Sequence, residues 1–392
     1  MLNKIKKILL ALAALACLQS TTLNTKAEET LTQDISAVYA IVMDRDTSQI
    51  LSQKNADEKM YPASMTKLMT AIIAIENFTD LNQTITITQE MLAGLAEAGA
   101  SVAGFQIGDT PTIQDILYGI ALPSGADATN AAAYTLCGSI EGYVEKMNEK
   151  AQSIGMTNTH FANTTGLHDE NHYSTAHDIA LLLQYCLNNE TFSTIFSSHD
   201  YTTSPLASHP NGILLESTLF KAASINNYAI PGLIGGKTGF TYPAGRCLAS
   251  WEDVQNMHLI TVVADADAYD PYSPHIRDTD TILNALQTWT KQAILTKDNI
   301  IKTISVTHPF AETDTIQVKA PDDFTLDLPA DDTVSVTCTL PETVSSSNKQ
   351  QNIEGDLIVT INDQLVYNKR IMVKIKAETN FIDKIANFFN KA

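Results

Sequence analysis

Positive charge is scarce in this sequence: 25 Lys and Arg stand against 44 Asp and Glu over 392 residues, a formal net charge of −19. A chain this acidic argues against nucleic-acid binding, where phosphates call for clustered cations. Cysteine is scarce as well. The five, Cys17, Cys137, Cys186, Cys247 and Cys338, are far apart and form no Cys-x-x-Cys pair, which excludes a zinc knuckle and a dense disulfide framework. Cys186 and Cys247 lie inside apolar stretches and are expected to be buried free thiols. His-Glu-x-x-His is absent. His168 and His172 have metal-like spacing, with Asp169 and Glu170 between them, but Gly166 and Asn171 suit a loop better than a ligand-bearing helix. Neither a metal nor a cofactor is expected.

The N-terminal apolar run, from Ile8 to Leu18, falls short of the roughly 20 residues that span a bilayer. It follows Lys4, Lys6 and Lys7 and precedes a small-residue site at Thr25-Lys26-Ala27, the order of a secretory signal peptide. Residues 1–27 are expected to be removed after Ala27, with lipoprotein processing at Cys17 as the alternative. Their loss takes away four lysines and no acids, moving the net charge from −19 to −23. The remaining chain of about 365 residues is long enough for two or three domains.

Residues 37–43 and 49–54 read as strands joined by the polar turn Asp44-Arg45-Asp46-Thr47-Ser48, a hairpin. From Ser64 to about Gln184 the apolar spacing becomes helical, as in Leu68-Met69-Ile72-Ile73, Ile113-Ile116-Leu117 and Ile179-Leu182-Leu183. Strands return at 235–241, 246–251 and 258–264, followed by a helix-like Asp280 to Lys291. Strands on both sides of a helical middle predict an α+β fold: an antiparallel sheet closed by sequence-distant pieces, flanked by helices, with a helical subdomain inserted. This domain is assigned to residues 28–297. Residues 298–376 alternate apolar runs with polar turns, among them Asn362-Asp363, and predict a small all-β sandwich domain. In residues 377–392, Phe381, Ile382, Ile385, Phe388 and Phe389 fall within an arc of about 120° when residues are placed 100° apart. That amphipathic helix either anchors the chain to a membrane surface or packs on the protein; the terminal position and the aromatic content favour the membrane.

Ser64 and Lys67 stand one helical turn apart in Ser64-Met65-Thr66-Lys67, so a lysine amine can sit beside a serine hydroxyl and, in a dry pocket, take its proton. The same spacing recurs at Ser346 to Lys349, within a polar loop where neither helix nor pocket is expected. Ser64 is preferred for its context. Ser124-Gly125-Ala126 follows Leu122-Pro123 and puts a hydroxyl on a loop between helices. Lys237-Thr238-Gly239 follows Gly235-Gly236 in a strand, where small residues let another backbone approach.

Ser-x-x-Lys, a later serine motif and Lys-Thr-Gly, in that order, resemble the signature set of penicillin-binding proteins and serine β-lactamases. The wording around them, Tyr61-Pro62-Ala63-Ser64-Met65-Thr66-Lys67, Leu122-Pro123-Ser124-Gly125 and Lys237-Thr238-Gly239-Phe240-Thr241, is similar to the low-molecular-mass D-alanyl-D-alanine carboxypeptidases. So are Asn163 to Asp178 and the layout of the whole chain. The resemblance implies an exported, extracytoplasmic enzyme that removes the terminal D-alanine from peptidoglycan stem peptides and is acylated by β-lactam antibiotics. It implies Ser64 as nucleophile, Lys67 as its base and Ser124 as a proton relay. Lys237, Thr238, Gly239 and Arg277 would hold the substrate, and the backbone N–H groups of Ser64 and Phe240 would form the oxyanion hole. For Arg277 the other reading is a surface arginine near the start of the next helix. One departure stands out: Ala126 occupies the place where the family pattern has asparagine. It motivates the alternative of a non-catalytic cell-wall-binding protein; a β-lactamase is the enzymatic alternative.

Overall fold

The computed structural model describes residues 35–308, 311–345 and 350–375. The expected signal peptide, the second Ser-x-x-Lys at 346–349 and the amphipathic tail lie outside the described residues.

Strands β1 (Tyr39–Asp44) and β2 (Ile50–Lys54) form the expected N-terminal hairpin, and β1 also pairs antiparallel with a strand more than 200 residues away in sequence. That partner, β7 (Met257–Ala266), joins β6 (Gly245–Val254) and β5 (Leu233–Thr241) in a five-stranded antiparallel sheet of order β2-β1-β7-β6-β5. The period of two in these strands sorts their side chains onto two faces. Ile41, Met43, Ala249, Ile260 and Val262 join one core, while Ala40, Val42, Leu248, Leu259 and Val263 join the other.

Between the two parts of the sheet run helices α1 (Lys67–Asn77), α2 (Gln89–Leu92), α3 (Ile113–Ala121), α4 (Ala126–Cys137), α5 (Ile140–Ser153), α6 (Ala176–Cys186), α7 (Glu190–Phe196) and α8 (Thr218–Ile225), with a short β3 (Asp200–Thr202) and β4 (Leu214–Glu216) hairpin before α8. Helix α1 is buried from Lys67 to Ala74 on every face, as a helix at the centre of a domain must be. Local sequence fixes the helix starts. Thr112 accepts from the Asp115 N–H at 3.0 Å while the Asp115 carboxylate accepts from Thr112 N–H, and the Thr175 hydroxyl caps α6 by accepting from Asp178 N–H at 3.0 Å. Helix α9 (Pro274–Ala285) lies on the second face of the sheet, with Ile276, Ile282 and Leu283 in its core.

The helix expected to reach Lys291 stops at Ala285, and β8 begins at Trp289. Among the described residues, 35–291 form one compact unit and those from 292 to 375 belong to the other, the division falling inside β8 (Trp289–Leu295). Leu286 prolongs the apolar spacing of Ile282 and Leu283 beyond the end of α9, which hides that end in the sequence.

Within the second unit, β9 (Ile300–His308), β10 (Ala311–Lys319) and a strand at Thr343–Ser345 form one three-stranded sheet. The order of strands in the chain makes β11 Phe324–Pro329, β12 Val334–Cys338, β13 Thr343–Ser345, β14 Gln351–Ile361 and β15 Gln364–Ile375, with β12-β14-β15 as the second three-stranded sheet. Strand β11 pairs with β8. Ile304 and Val318 of the first sheet pack in one cluster with Ile353, Ile371 and Val373 of the second, a sandwich. Asn362 and Asp363, both with positive φ, make the turn between β14 and β15.

Candidate active site

Strand β5 is the edge of the five-stranded sheet that faces the helices, and a 3₁₀ turn, Ala63–Thr66, brings Ser64 against it just before α1 begins. The approach is close enough that a Cβ on Gly239 would lie 3.0 Å from the Ser64 backbone nitrogen. Gly166 is tighter still: it has φ of 82°, and a Cβ there would lie 1.9 Å from the Ala63 carbonyl oxygen. Only glycine lets the 163–167 loop pass beneath the turn that carries Ser64. Ala63 and Ser124 both hold positive φ, 44° and 64°, a backbone conformation that costs about 1–3 kcal/mol and is retained at working sites.

Lys67 is buried beneath Ser64. Its Nζ donates to Ser64 Oγ at 3.0 Å and to the Thr165 carbonyl at 2.6 Å. Burial pushes the Lys67 amine down to about 7, against the weaker opposing pull of Asp127. The Thr165 carbonyl is held in place by the loop around it. Asn163 Oδ1 accepts from the N–H groups of Thr165 and Gly166, and Thr164 is tied to Thr70 Oγ1 through its carbonyl and to Asn130 Oδ1 through its hydroxyl. Sequence reasoning missed the Thr165 carbonyl, because a backbone acceptor carries no residue signature.

Ser124 sits at the start of α4 with its hydroxyl buried, lining the same cleft, and without a hydrogen-bond partner. Asp127 ties the first turn of α4 to the 103–105 segment: its carboxylate accepts from the N–H groups of Ala103, Gly104 and Phe105 at 2.7, 2.9 and 3.1 Å. Ala126 is buried and also lines the cleft.

Lys237 is buried behind the cleft, donating to the Thr238 carbonyl at 2.9 Å. Burial, and then the charge of Lys67, hold its amine well below the ordinary lysine value. Thr238, Gly239 and Phe240 line the cleft, and Thr238 Oγ1 shares a 2.6 Å hydrogen bond with Thr218 Oγ1 of α8. Ser64, Lys67, Ser124, Thr238, Gly239 and Phe240 thus surround one cleft of about 300 Å³.

Arg277 is not brought into that cleft. Its Nη1 pairs with Asp270 at 3.0 Å and its side chain is 43% exposed. The arginine on the cleft wall is Arg246, with His275 beside it on the same wall, and neither residue stood out in the sequence. His172 is not free to bind a metal. Its Nδ1 accepts from Ala162 N–H at 3.0 Å, so Nε2 carries the proton and faces Thr66 Oγ1 at 2.7 Å.

Known proteins share this arrangement. A profile of peptidase family S11, described as D-alanyl-D-alanine carboxypeptidase, matches residues 24–268. The D-alanyl-D-alanine carboxypeptidase DacF of Bacillus subtilis is 36% identical over 239 residues, 59% of this chain and 57% of its own length. DacC of Escherichia coli is 31% identical over 249 residues, 61% of this chain and 59% of its own. The matched stretch therefore spans less than two thirds of these curated relatives. A variant of the Streptomyces K15 DD-transpeptidase superposes with a TM-score of 0.58 at 27% identity, covering 64% of this chain and 97% of its own. The DacD carboxypeptidase of Francisella tularensis shares the fold over 88% of this chain and 94% of its own, with a TM-score of 0.70 at 23% identity. With the profile matching more than half of its length, and with the serine, lysine and Lys-Thr-Gly strand gathered at one cleft, the chain belongs to the D-alanyl-D-alanine carboxypeptidase family.

Proposed function

We propose that this protein is a serine D-alanyl-D-alanine carboxypeptidase that removes the terminal D-alanine from peptidoglycan stem pentapeptides. The observation that carries this reading is the Lys67 Nζ to Ser64 Oγ hydrogen bond of 3.0 Å, made by an amine whose pKa lies at about 7. A neutral Lys67 takes the Ser64 proton as Oγ attacks the carbonyl carbon of the penultimate D-alanine. The N–H groups of Ser64 and Phe240 hold the resulting oxyanion. Collapse breaks the C–N bond, the proton passes through Ser124 to the leaving amine, and D-alanine departs. Water, deprotonated by Lys67, then attacks the acyl ester, releasing the shortened peptide and restoring Ser64. No cofactor enters any step.

β-Lactams present a strained amide beside a carboxylate and acylate the same hydroxyl. Mass spectrometry of the intact protein after penicillin treatment tests this: one adduct per chain, mapped to Ser64 and stable for minutes, supports the reading. Rapid turnover of the drug would identify a β-lactamase instead, and no adduct at all would sink the nucleophile assignment.

Export rests on the charged, apolar and small-residue order of residues 1–27. Among the described residues no helix is long and apolar enough to cross a membrane. Attachment to the outer face of the cytoplasmic membrane is assigned to the amphipathic tail, and deletion of residues 380–392 should release the protein into the soluble fraction. Retention at the membrane after deletion would count against it.

A further inference from the structure

Exposed aromatic rings are confined to one place. Among the described residues, the large apolar side chains left exposed include four aromatic ones: Phe240 (42%), Tyr242 (70%), Tyr269 (83%) and Tyr272 (66%). Phe240 and Tyr242 stand at the end of β5, and Tyr269 and Tyr272 in the 267–273 loop between β7 and α9. The Phe240 and Tyr242 rings meet edge to face with centroids 5.4 Å apart, and the Tyr242 and Tyr269 centroids are 6.0 Å apart. The row is continuous with the catalytic cleft, which Phe240 and Thr241 line, as does Ser273 next to Tyr272. A patch of exposed apolar surface that opens out of a cleft marks a binding surface.

The direction of the substrate decides what reaches this row. In the proposed reaction the Phe240 N–H holds the oxyanion, and the leaving D-alanine lies back towards Lys237 and Thr238. The rest of the stem peptide therefore continues past Phe240 towards Thr241 and Tyr242. An extended chain advances about 3.3 Å per residue, so the residue before the two D-alanines, a diamino acid, passes beside Phe240 and Tyr242. Its side chain is a run of methylenes ending in an amine, which packs its stem on aromatic faces and is drawn to them by its charge. Local charge favours the same occupant. Asp267 accepts from the Tyr269 N–H at 2.9 Å and Asp270 from the Tyr272 N–H at 2.8 Å, so carboxylates rim the row and attract a cation. Asp270 already pairs with Arg277, and the Arg246 guanidinium already stands 5.2 Å from the Phe240 centroid. The tyrosines, next to Asp267, are the place left for an ammonium.

We propose that Phe240, Tyr242 and Tyr269 bind the diamino-acid side chain of the stem peptide, with its methylenes on the rings and its terminal amine over the tyrosines beside Asp267. The direction of the peptide rests on the carboxypeptidase reading; the binding surface itself rests on the clustering of the exposed rings at the mouth of the cleft.

D-Alanine release from three peptides tests the assignment: Nα-acetyl-L-Lys-D-Ala-D-Ala, its Nε-acetyl derivative and N-acetyl-L-Ala-D-Ala-D-Ala. The value of kcat/KM for the lysyl peptide should exceed that for the alanyl peptide at least about fivefold, with the Nε-acetyl peptide between them. Tyr242 and Tyr269 are exposed, so replacing both by alanine removes the rings without opening a core. Tyr242→Ala with Tyr269→Ala should bring the lysyl-to-alanyl ratio to within about twofold, whereas Tyr242→Phe with Tyr269→Phe keeps the rings and should keep the ratio.

A ratio near one in the unsubstituted protein, or a ratio that survives removal of both rings, would overturn the assignment. So would a rate gain from a muramyl sugar added to the peptide that the alanine variant loses while the lysyl preference stays, because the rings would then serve the glycan. If none of the peptides releases D-alanine, the carboxypeptidase reading falls. The dissociation constants of the lysyl and alanyl peptides on the Ser64→Ala protein then decide the binding surface by themselves: a preference of at least about fivefold that needs the tyrosine rings supports it, and equal binding overturns it.

Discussion

Lys67 Nζ stands between Ser64 Oγ at 3.0 Å and the Thr165 carbonyl at 2.6 Å, so the base at this site is held from below by backbone. Ala126, the third residue of the second motif, brings no side-chain amide to the cleft it lines. Here the acceptor that fixes Lys67 is a loop carbonyl, and Asn130, one turn further along α4, ties down the neighbouring Thr164.

Because burial sets the Lys67 amine at about 7, the reactive neutral form is populated above that pH and lost below it. The value of kcat/KM should rise through an ascending limb near pH 7, and Lys67→Arg should lower it by about 10²–10⁴-fold. Steady-state rates between pH 5 and 9 check both. A profile that is flat across this range would remove Lys67 from the role of base.

His172 bears on stability. Burial lowers its imidazole from the usual 6.5 to about 4 in the folded protein, so the unfolded chain binds the proton more readily within that window. The sign follows from linkage: the contribution is full above pH 6.5 and is lost as pH falls towards 4, about 3 kcal/mol in all. Urea midpoints measured from pH 7 to 4 should fall less steeply in His172→Gln than in the unsubstituted protein. Identical slopes would show that His172 titrates normally.

Gly166→Ala places a Cβ against the Ala63 carbonyl at a residue whose φ is 82°. The loop and the turn carrying Ser64 must separate, so the variant should lose about 1–3 kcal/mol of stability and acylate far more slowly. Stopped-flow acylation by a fluorescent penicillin, alongside a thermal melt, reads both effects. Wild-type acylation in a folded Gly166→Ala protein would show that this close contact is dispensable.

Ala126→Asn restores an amide on the cleft wall. If the site lacks only that amide, acylation should accelerate several-fold. An unchanged or slower rate in the same fluorescent assay would show that the loop carbonyl and Asn130 have taken over its task.

Much of the domain was legible because its signals are local and periodic. The hairpin at 39–54 and strands β5 to β7 follow the alternation of apolar residues, and glycine marks the strand that presses on Ser64. The Ser64, Lys67, Ser124 and Lys237 set stood out through the order of three motifs, since a single Ser-x-x-Lys occurs twice in the chain. What escaped depends on tertiary placement. The Thr165 carbonyl acts through backbone, Arg246 reaches the cleft only through its register opposite Phe240, and His275 reaches it only because α9 begins at Pro274. Arg277, two residues further along the same helix, points to solvent and Asp270. The end of α9 was hidden for another reason: Leu286 continues the helical spacing of Ile282 and Leu283 just after α9 has ended at Ala285.

The most direct test of the central claim is D-alanine release from a soluble peptide ending in D-Ala-D-Ala, comparing the mature protein with Ser64→Ala. Release by the former and none by the latter is the predicted result. Release that survives in Ser64→Ala, or its absence from both proteins, would contradict the assignment of Ser64 as the nucleophile of a carboxypeptidase.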